Sequence, residues 1–296
     1  NYQLSVSGGN EGFNYLISGN YMDQEGIIIN SGFKRYSLRS NIEKNFSDKL
    51  NIGTNIYLSK TIANPVSEGG NSSIVGAALF AFPFYSIKNE DGEYNLYTDP
   101  ANRIINPIGE ANLRLRENNT YRILANVFGK YELLENLTLN LNLGTNIRNR
   151  KNNLYYPSNS SAGTATNGEA SVNQNQSLYW VTNNTLTYNE SFDNGHNLEA
   201  MIGFTAEKDW YEYANASAER FKTDYFEYHR LQAAEDRFSS SGMEEDQLAS
   251  FISRINYNLN DKYLLTLSGR YDGSSKFSRE NQWAFFPSGA FAWRIS

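Results

Sequence analysis

Residues 137 to 147 read LTLNLNLGTNI: Leu137, Leu139, Leu141, Leu143 and Ile147 alternate with Thr138, Asn140, Asn142 and Asn146. In an extended chain successive side chains leave opposite faces, so this stretch predicts a strand with one apolar and one polar face. A helix would wrap the leucines around its whole circumference. The apolar face needs an apolar neighbour and the polar face needs water. The same demand recurs along nearly the whole chain, with nothing else in it to serve as the neighbour.

Tyr2, Leu4 and Val6 oppose Gln3, Ser5 and Ser7, and Tyr15, Ile17 and Tyr21 oppose Asn14, Ser18 and Asn20. Further on, Tyr36, Leu38 and Ile42 oppose Arg35, Arg39, Asn41 and Glu43, and Leu50, Ile52, Ile56 and Leu58 oppose Asn51, Gly53 and Asn55. Tyr121, Ile123, Ala125, Val127 and Tyr131 share one face, as do Leu198, Ala200, Ile202 and Phe204, then Phe251, Ile255 and Tyr257, then Leu265, Leu267 and Tyr271. Trp283, Phe285, Phe291 and Trp293 form a last apolar face, and 177–190 alternates poorly. Scored for period two, the chain predicts about eleven strands.

The connections alternate in length. Short turns are expected at 9–12, 47–49, 134–136, 193–196 and 260–262, and long links near 23–33, 60–119, 150–176, 211–248 and 272–282. In an up-and-down meander this puts all short turns at one end and all long loops at the other, the layout of a transmembrane β-barrel. Phe46, Tyr131, Tyr188, Phe192, Tyr257 and Tyr263 sit beside the short turns, where rings with a polar tip suit a headgroup layer. Lipid is then the neighbour of the apolar face, and the Asn, Arg, Glu and Thr face lines a wet lumen. The alternative is a soluble β-sandwich, a lectin or adhesin, in which a second sheet covers the apolar face. A passive porin is a third reading.

Composition narrows the function. The net charge is −6 with 26 basic against 32 acidic residues, so nucleic acid is not an expected partner. There is no cysteine, which excludes disulfides, thiolate metal sites and a cysteine nucleophile. No apolar run reaches the roughly 18 to 20 residues of a transmembrane helix; the longest, IVGAALFAF at 74–82, stops at Pro83. The chain opens without Met, already in a strand pattern, and reads as an internal piece of a longer protein.

One segment carries a specific resemblance. LLTLSGRYDGSSKFSRENQWAFFPSGAFAWRIS at 264–296, with Arg270, Asp272, Gly273, Pro287, Ser288, Trp293 and Arg294, resembles the SusC/RagA-type TonB-dependent outer-membrane transporters of Gram-negative Bacteroidota. So do 3–28, 37–59 and 183–204. The resemblance implies a barrel of 22 antiparallel strands closed by an N-terminal plug and energised by TonB. About eleven strands is half of that, so residues 1–296 are expected to be the central part of the barrel, without plug or closing strands. It further implies import of an oligosaccharide or peptide, a SusD-like surface lipoprotein capping the mouth, and the outer membrane of a Bacteroidota-like bacterium. No enzyme activity and no cofactor follow from it.

The residues offer no catalytic or metal site. His196 and His229 fall at opposite ends of the barrel, Glu235–Asp236 and Glu244–Glu245 read as solvated surface, and SEGGNSS at 67–73 lacks the lysine of a phosphate-binding loop. Asn-X-Thr triplets such as the one starting at Asn136 fall within or beside strands and are poor glycosylation sites. Binding is the remaining chemistry. Tyr85, Tyr94, Tyr155, Tyr156, Trp210, Tyr211 and Tyr225 are the expected substrate contacts, rings placed in long loops beside polar groups. The plainer expectation for any one of them is loop packing. The stretch IVGAALFAFPFY at 74–85 is expected to pack within the loop layer or against the lipoprotein.

Overall fold

The computed structural model describes residues 1–66 and 73–295. Eleven strands form one antiparallel sheet in which each pairs with its neighbours in sequence. They are β1 (Tyr2–Asn10), β2 (Phe13–Glu25), β3 (Gly32–Ser47), β4 (Leu50–Asn64), β7 (Leu115–Leu134), β8 (Leu137–Tyr156), β9 (Glu169–Phe192), β10 (His196–Phe221), β11 (Ala234–Leu259), β12 (Tyr263–Ser274) and β13 (Trp283–Trp293). Between β4 and β7 lie a small ribbon, β5 (Tyr97–Asp99) and β6 (Ile104–Ile105), and two short helices, α1 (Ile74–Phe80) and α2 (Pro107–Leu113). Among the described residues no second sheet covers the large one, which removes the β-sandwich reading. No described helix is long and apolar enough to cross a membrane.

Each expected short turn is present, and the register across it puts the predicted apolar residues on one face. Leu139 pairs with Tyr131 and Leu186, and Leu143 with Val127 and Thr182. Leu143, Val127, Ile202, Phe251 and Leu267 are all exposed. This face carries two aromatic levels. Near the short turns stand Phe46, Tyr131, Phe192, Tyr263 and Trp293, the last two stacked at 6.2 Å. At the other level Tyr21 meets Tyr2 and Tyr36, and Trp283 stacks on Tyr271 at 4.9 Å. On β7 the levels are marked by Tyr131 and Tyr121. Ten residues at about 3.3 Å, tilted by about 40°, give roughly 25 Å of height, the thickness of the apolar band of a transmembrane barrel.

Just past the upper aromatic level the same face turns charged: Lys34 pairs with Asp23 at 3.0 Å and Lys208 with Glu245 at 2.9 Å. Lys60 lies over the Tyr121 ring at 5.3 Å. Water is therefore the solvent there. Within the band, the outward hydroxyls of Thr145 and Thr182 donate to the main-chain oxygens of Tyr179 and Asn142 at 3.0 and 2.9 Å, so neither is left unpaired toward lipid.

The strands are longer than expected. β7 and β8 have 20 residues each and β10 and β11 have 26, against the 9 to 11 that cross a bilayer. The long connections shrink accordingly to 26–31, 65–114, 157–168, 222–233 and 275–282. Tyr155 and Tyr156 thus end β8, and Trp210 and Tyr211 lie within β10, rather than in loops. The reason is physical. Above the lipid both faces of a strand meet water, so the period-two signal that marks a strand disappears while the hydrogen-bonded ladder continues.

Candidate functional site

The concave face is the polar one. Arg35, Ser37, Arg39 and Asn41 of β3, Asn55 and Tyr57 of β4, Arg122, Leu124 and Asn126 of β7, and Asn140, Asn142 and Asn146 of β8 lie on it by alternation. Side-chain bonds run across the strands: Asn126 donates to Asn142 at 3.0 Å, Arg122 to Asn146 at 3.0 Å, and Asn140 to Thr185 at 3.4 Å. On β9 and β10 the Tyr179 hydroxyl donates to Glu207 at 2.7 Å. A groove of about 500 Å³ opens on this wall between Arg39, Tyr57, Asn126, Asn146 and Tyr179. Gly53 makes room for aromatic surface here, since a Cβ on it would come within 2.2 Å of the Phe128 ring.

Above the wall, four connections lock into one layer. Asn106, almost wholly buried, caps α2 by accepting from Gly109 N at 3.0 Å, and its amide donates to the carbonyls of Ile87 and Asn95 at 2.8 and 2.9 Å. The Glu110 carboxylate of α2 accepts from the amide and hydroxyl of Ser161 in 157–168. Asn30, in the turn between β2 and β3, donates to Ala111 O at 2.9 Å. Asp224, in 222–233, accepts from the Tyr155 hydroxyl and from Ser158 N and Oγ, the last two at 3.1 and 2.7 Å. Burial alone would push the Asp224 carboxyl up, but these hydrogen bonds outweigh it and hold it below its ordinary value. Burial, then the Asp224 hydrogen bond, push the Tyr155 phenol up. Arg220 at the end of β10 has a positive φ of 62° and ion-pairs with Glu235 and Asp236 of β11. Glu169, paired across β9 and β10 with Glu219, is raised by burial and then by that neighbouring charge.

The seven expected contact residues do not converge. Tyr155 is 1% exposed and packs edge-on against Phe221 at 5.7 Å, among Ala170, Ala218 and Ala234. Its ring is internal packing. Tyr156 lies under the Arg114 guanidinium at 4.8 Å. Tyr94 lies under Lys88 at 4.7 Å, and Tyr85 packs on Phe84 at 4.8 Å beside Phe82. Tyr225, 84% exposed, stands edge-on to Phe226 at 5.3 Å. Trp210 shares the face of Ile202 on β10, above the lipid band, whereas Tyr211 faces the lumen with Tyr213 beside it at 6.1 Å. Of the seven, Tyr156 and Tyr211 share the concave face with Asn140 and Asn142. Residues missed in the sequence are the arginines of β3, β7 and β8, whose grouping depends on the register between strands and not on spacing along the chain.

The stretch IVGAALFAFPFY divides. Ser73 caps α1, Ile74 and Ala77 are buried, and Leu79, Phe80, Phe82 and Phe84 are exposed. The preceding 67–72 lie outside the described residues. His196 meets the Tyr257 hydroxyl beside a short turn, while His229 lies in 222–233 at the other end of the sheet. Among the described residues no three His, Asp or Glu side chains come together to hold a metal ion.

No protein-family model matches the chain. It is 35% identical over 306 aligned residues to TonB-dependent receptor P3 of Formosa agariphila, a match covering all of this chain and 30% of that protein. It is 24% identical to the TonB-dependent receptor SusC of Bacteroides thetaiotaomicron, covering 99% of this chain and 31% of that protein. Among solved structures, the RagAB peptide transporter superposes with a TM-score of 0.81 at 24% identity, over 99% of this chain and 34% of that one, which shows a shared fold. The chain thus spans about a third of the length of the proteins it matches.

Proposed function

Because this chain belongs with the SusC/RagA-type TonB-dependent receptors along its whole length, we propose that it forms the central part of the barrel of an outer-membrane nutrient importer. The observation that carries the reading is the change of solvent on the convex face. Mostly apolar side chains fill about 25 Å between two aromatic levels, charged pairs begin above them, and the concave face is predominantly polar. A sheet of this kind is stable only as part of a closed barrel, since open strand edges in lipid leave unpaired amides. The outer edges of β1 and β13 therefore pair with further strands of the longer protein, which also supplies a plug for the lumen. The relatives are receptors and transporters, so the chemistry is capture and passage, not turnover.

In this reading, import of an oligosaccharide or peptide is driven by TonB, and a SusD-like lipoprotein caps the layer formed by 65–114, 157–168 and 222–233. The exposed Phe80, Phe82, Phe84 and Tyr85 form the apolar part of that docking surface. The host is a Bacteroidota-like bacterium. Uptake assays on cells carrying the full-length protein test the reading: uptake should stop when TonB is inactivated. Undiminished uptake without TonB would identify a passive pore instead. Removing 73–85 should release the lipoprotein on co-purification and leave the barrel in the membrane.

A further inference from the structure

The lumen wall has an uneven charge distribution. By alternation Arg35, Arg39, Arg122, Arg148 and Arg150 face the lumen on β3, β7 and β8. The register places Arg122 directly opposite Arg148. Like charges in directly opposed positions destabilise a sheet. Arg150 stands two residues further along β8, about 7 Å away on the same face. None of the five forms an ion pair among the described residues. Their hydrogen bonds go to neutral amides: Arg39 to Asn41 at 3.4 Å, Arg122 to Asn146 and Arg150 to Asn152 at 3.0 Å each. Each of these contacts uses one of five guanidinium donors. Arg35 donates from a terminal guanidinium nitrogen to Asn20 at 3.5 Å, while its Nε is buried without a partner.

The same row of the sheet continues to aromatic surface. Arg148 pairs with Ser177, Ser177 with Tyr211, and Tyr211 with Glu244. In the next row Arg150 pairs with Asn175 and Asn175 with Tyr213. Tyr213 lies across Gly242, where a Cβ would come within 2.7 Å of the ring. The two tyrosines thus stand about 10 Å, two strand spacings, from Arg148 and Arg150, and about 14 Å, three spacings, from Arg122. On the upper wall the acids are Glu207 and Asp209 of β10, Glu244 and Asp246 of β11 and Asp272 of β12, all across β9 from the arginines of β7 and β8; near the short turns Glu43 of β3, Glu132 of β7 and Glu199 of β10 also face the lumen. An asparagine-oriented, unneutralised guanidinium group beside a ring pair matches an anion attached to a molecule with an apolar face.

We propose that this wall binds an anionic substrate. Its carboxylate or sulfate groups sit on Arg122, Arg148 and Arg150, and a sugar or aromatic face of the same molecule lies on Tyr211 and Tyr213. The inference rests on the importer reading and narrows its substrate class. Either an acidic oligosaccharide or an acidic peptide supplies this chemistry.

The test uses the full-length protein in lipid nanodiscs, with oligogalacturonate, a tyrosine-containing oligoglutamate peptide and a neutral cello-oligosaccharide as probes. At least one acidic probe should bind, more tightly at low salt, and the double variant R122Q/R148Q should weaken it roughly 10- to 100-fold. Which acidic probe binds assigns the source. The variant should keep or raise the Tm of the unliganded protein, because it relieves the opposed charges. Failure of both acidic probes to bind, or equal binding by the variant, overturns the proposal. A drop in the unliganded Tm also overturns it, because the arginines would then be paired with carboxylates elsewhere in the longer protein. TonB-dependent uptake of a neutral oligomer, without anion binding, would leave the importer standing and remove this inference alone.

Discussion

The depth profile of β8 gives the sharpest test of which face meets lipid. Leu139, Leu141 and Leu143 point the same way, and their partners on β7 are Tyr131, Gly129 and Val127. Tyr131 marks the lower aromatic level and Tyr121 the upper. At about 2.5 Å of height per tilted residue, Leu139 lies at the lower boundary, Leu141 about 5 Å inside it, and Leu143 about 10 Å inside, close to the midplane. An arginine on the lipid face costs about 2 to 4 kcal/mol at the midplane and about 0 to 1 near the boundary. L143R should therefore be the most damaging of the three, L141R intermediate and L139R nearly neutral. N142R, between two of them in sequence but facing the lumen beside Asn126, should cost little. Denaturant titration of the full-length protein in phospholipid vesicles, followed by tryptophan fluorescence, measures all four. Equal losses for N142R and L143R, or no gradient from residue 139 to 143, would refute the assignment of faces and with it the barrel.

Asp224 has a lowered pKa in the folded chain, so its contribution to the 157–168 and 222–233 contact is present above the ordinary carboxylate range and lost as pH falls through the folded value. Amide exchange in both segments should accelerate as the pH drops below about 4, and D224N should remove that pH response; an unchanged response in the variant would mean that another group carries it. E110Q should loosen 157–168 in the same exchange measurement while leaving the β9–β10 ladder protected, since Ser161 is its partner. G53V should lower the Tm of the full-length protein by forcing Phe128 out of place, at a cost of about 1 to 3 kcal/mol, and G53V/F128A should recover part of it.

The sheet was legible because lipid imposes alternation more strictly than a protein core does. Leu137 to Leu143 betrayed β8, the turn residues after Leu134 fixed its pairing with β7, and those after Leu259 fixed the β11–β12 hairpin. The legibility stops at the upper aromatic level. In the upper part of β10 aromatic residues stand on both faces, Trp210 outward and Tyr211 and Tyr213 toward the lumen, and only the small residues Ala214, Ala216 and Ala218 alternate with Asn215, Ser217 and Glu219, so the large-apolar alternation of the lipid band stops there. Loop placement of Trp210 and Tyr211 followed from that silence. Within the binding surface, the aromatic residues were visible one by one, but their depth was not: Tyr155 and Tyr156 are adjacent in sequence, yet one is sealed under 222–233 and the other lies on the lumen face. The opposed Arg122 and Arg148 are 26 positions apart, and only the strand register reveals them as neighbours.

Nine of the ten strand pairings in the large sheet join strands separated by a short or modest link; β4 and β7 meet across residues 65–114. Chain statistics make that pairing the expensive one. Closing a loop of about fifty residues costs roughly 2.5 kcal/mol more configurational entropy than closing a three-residue turn. The order inside the link reduces this penalty. Asn106 gathers the carbonyls of Ile87 and Asn95, and only Arg114 separates the end of α2 from the start of β7. A segment that has folded on itself behaves as a much shorter tether, so the link acts as a splint that sets the register of β7 on β4. The wall is thus built of local hairpin pairings with one non-local pairing, and the polar core around Asn106 shortens the effective tether across it.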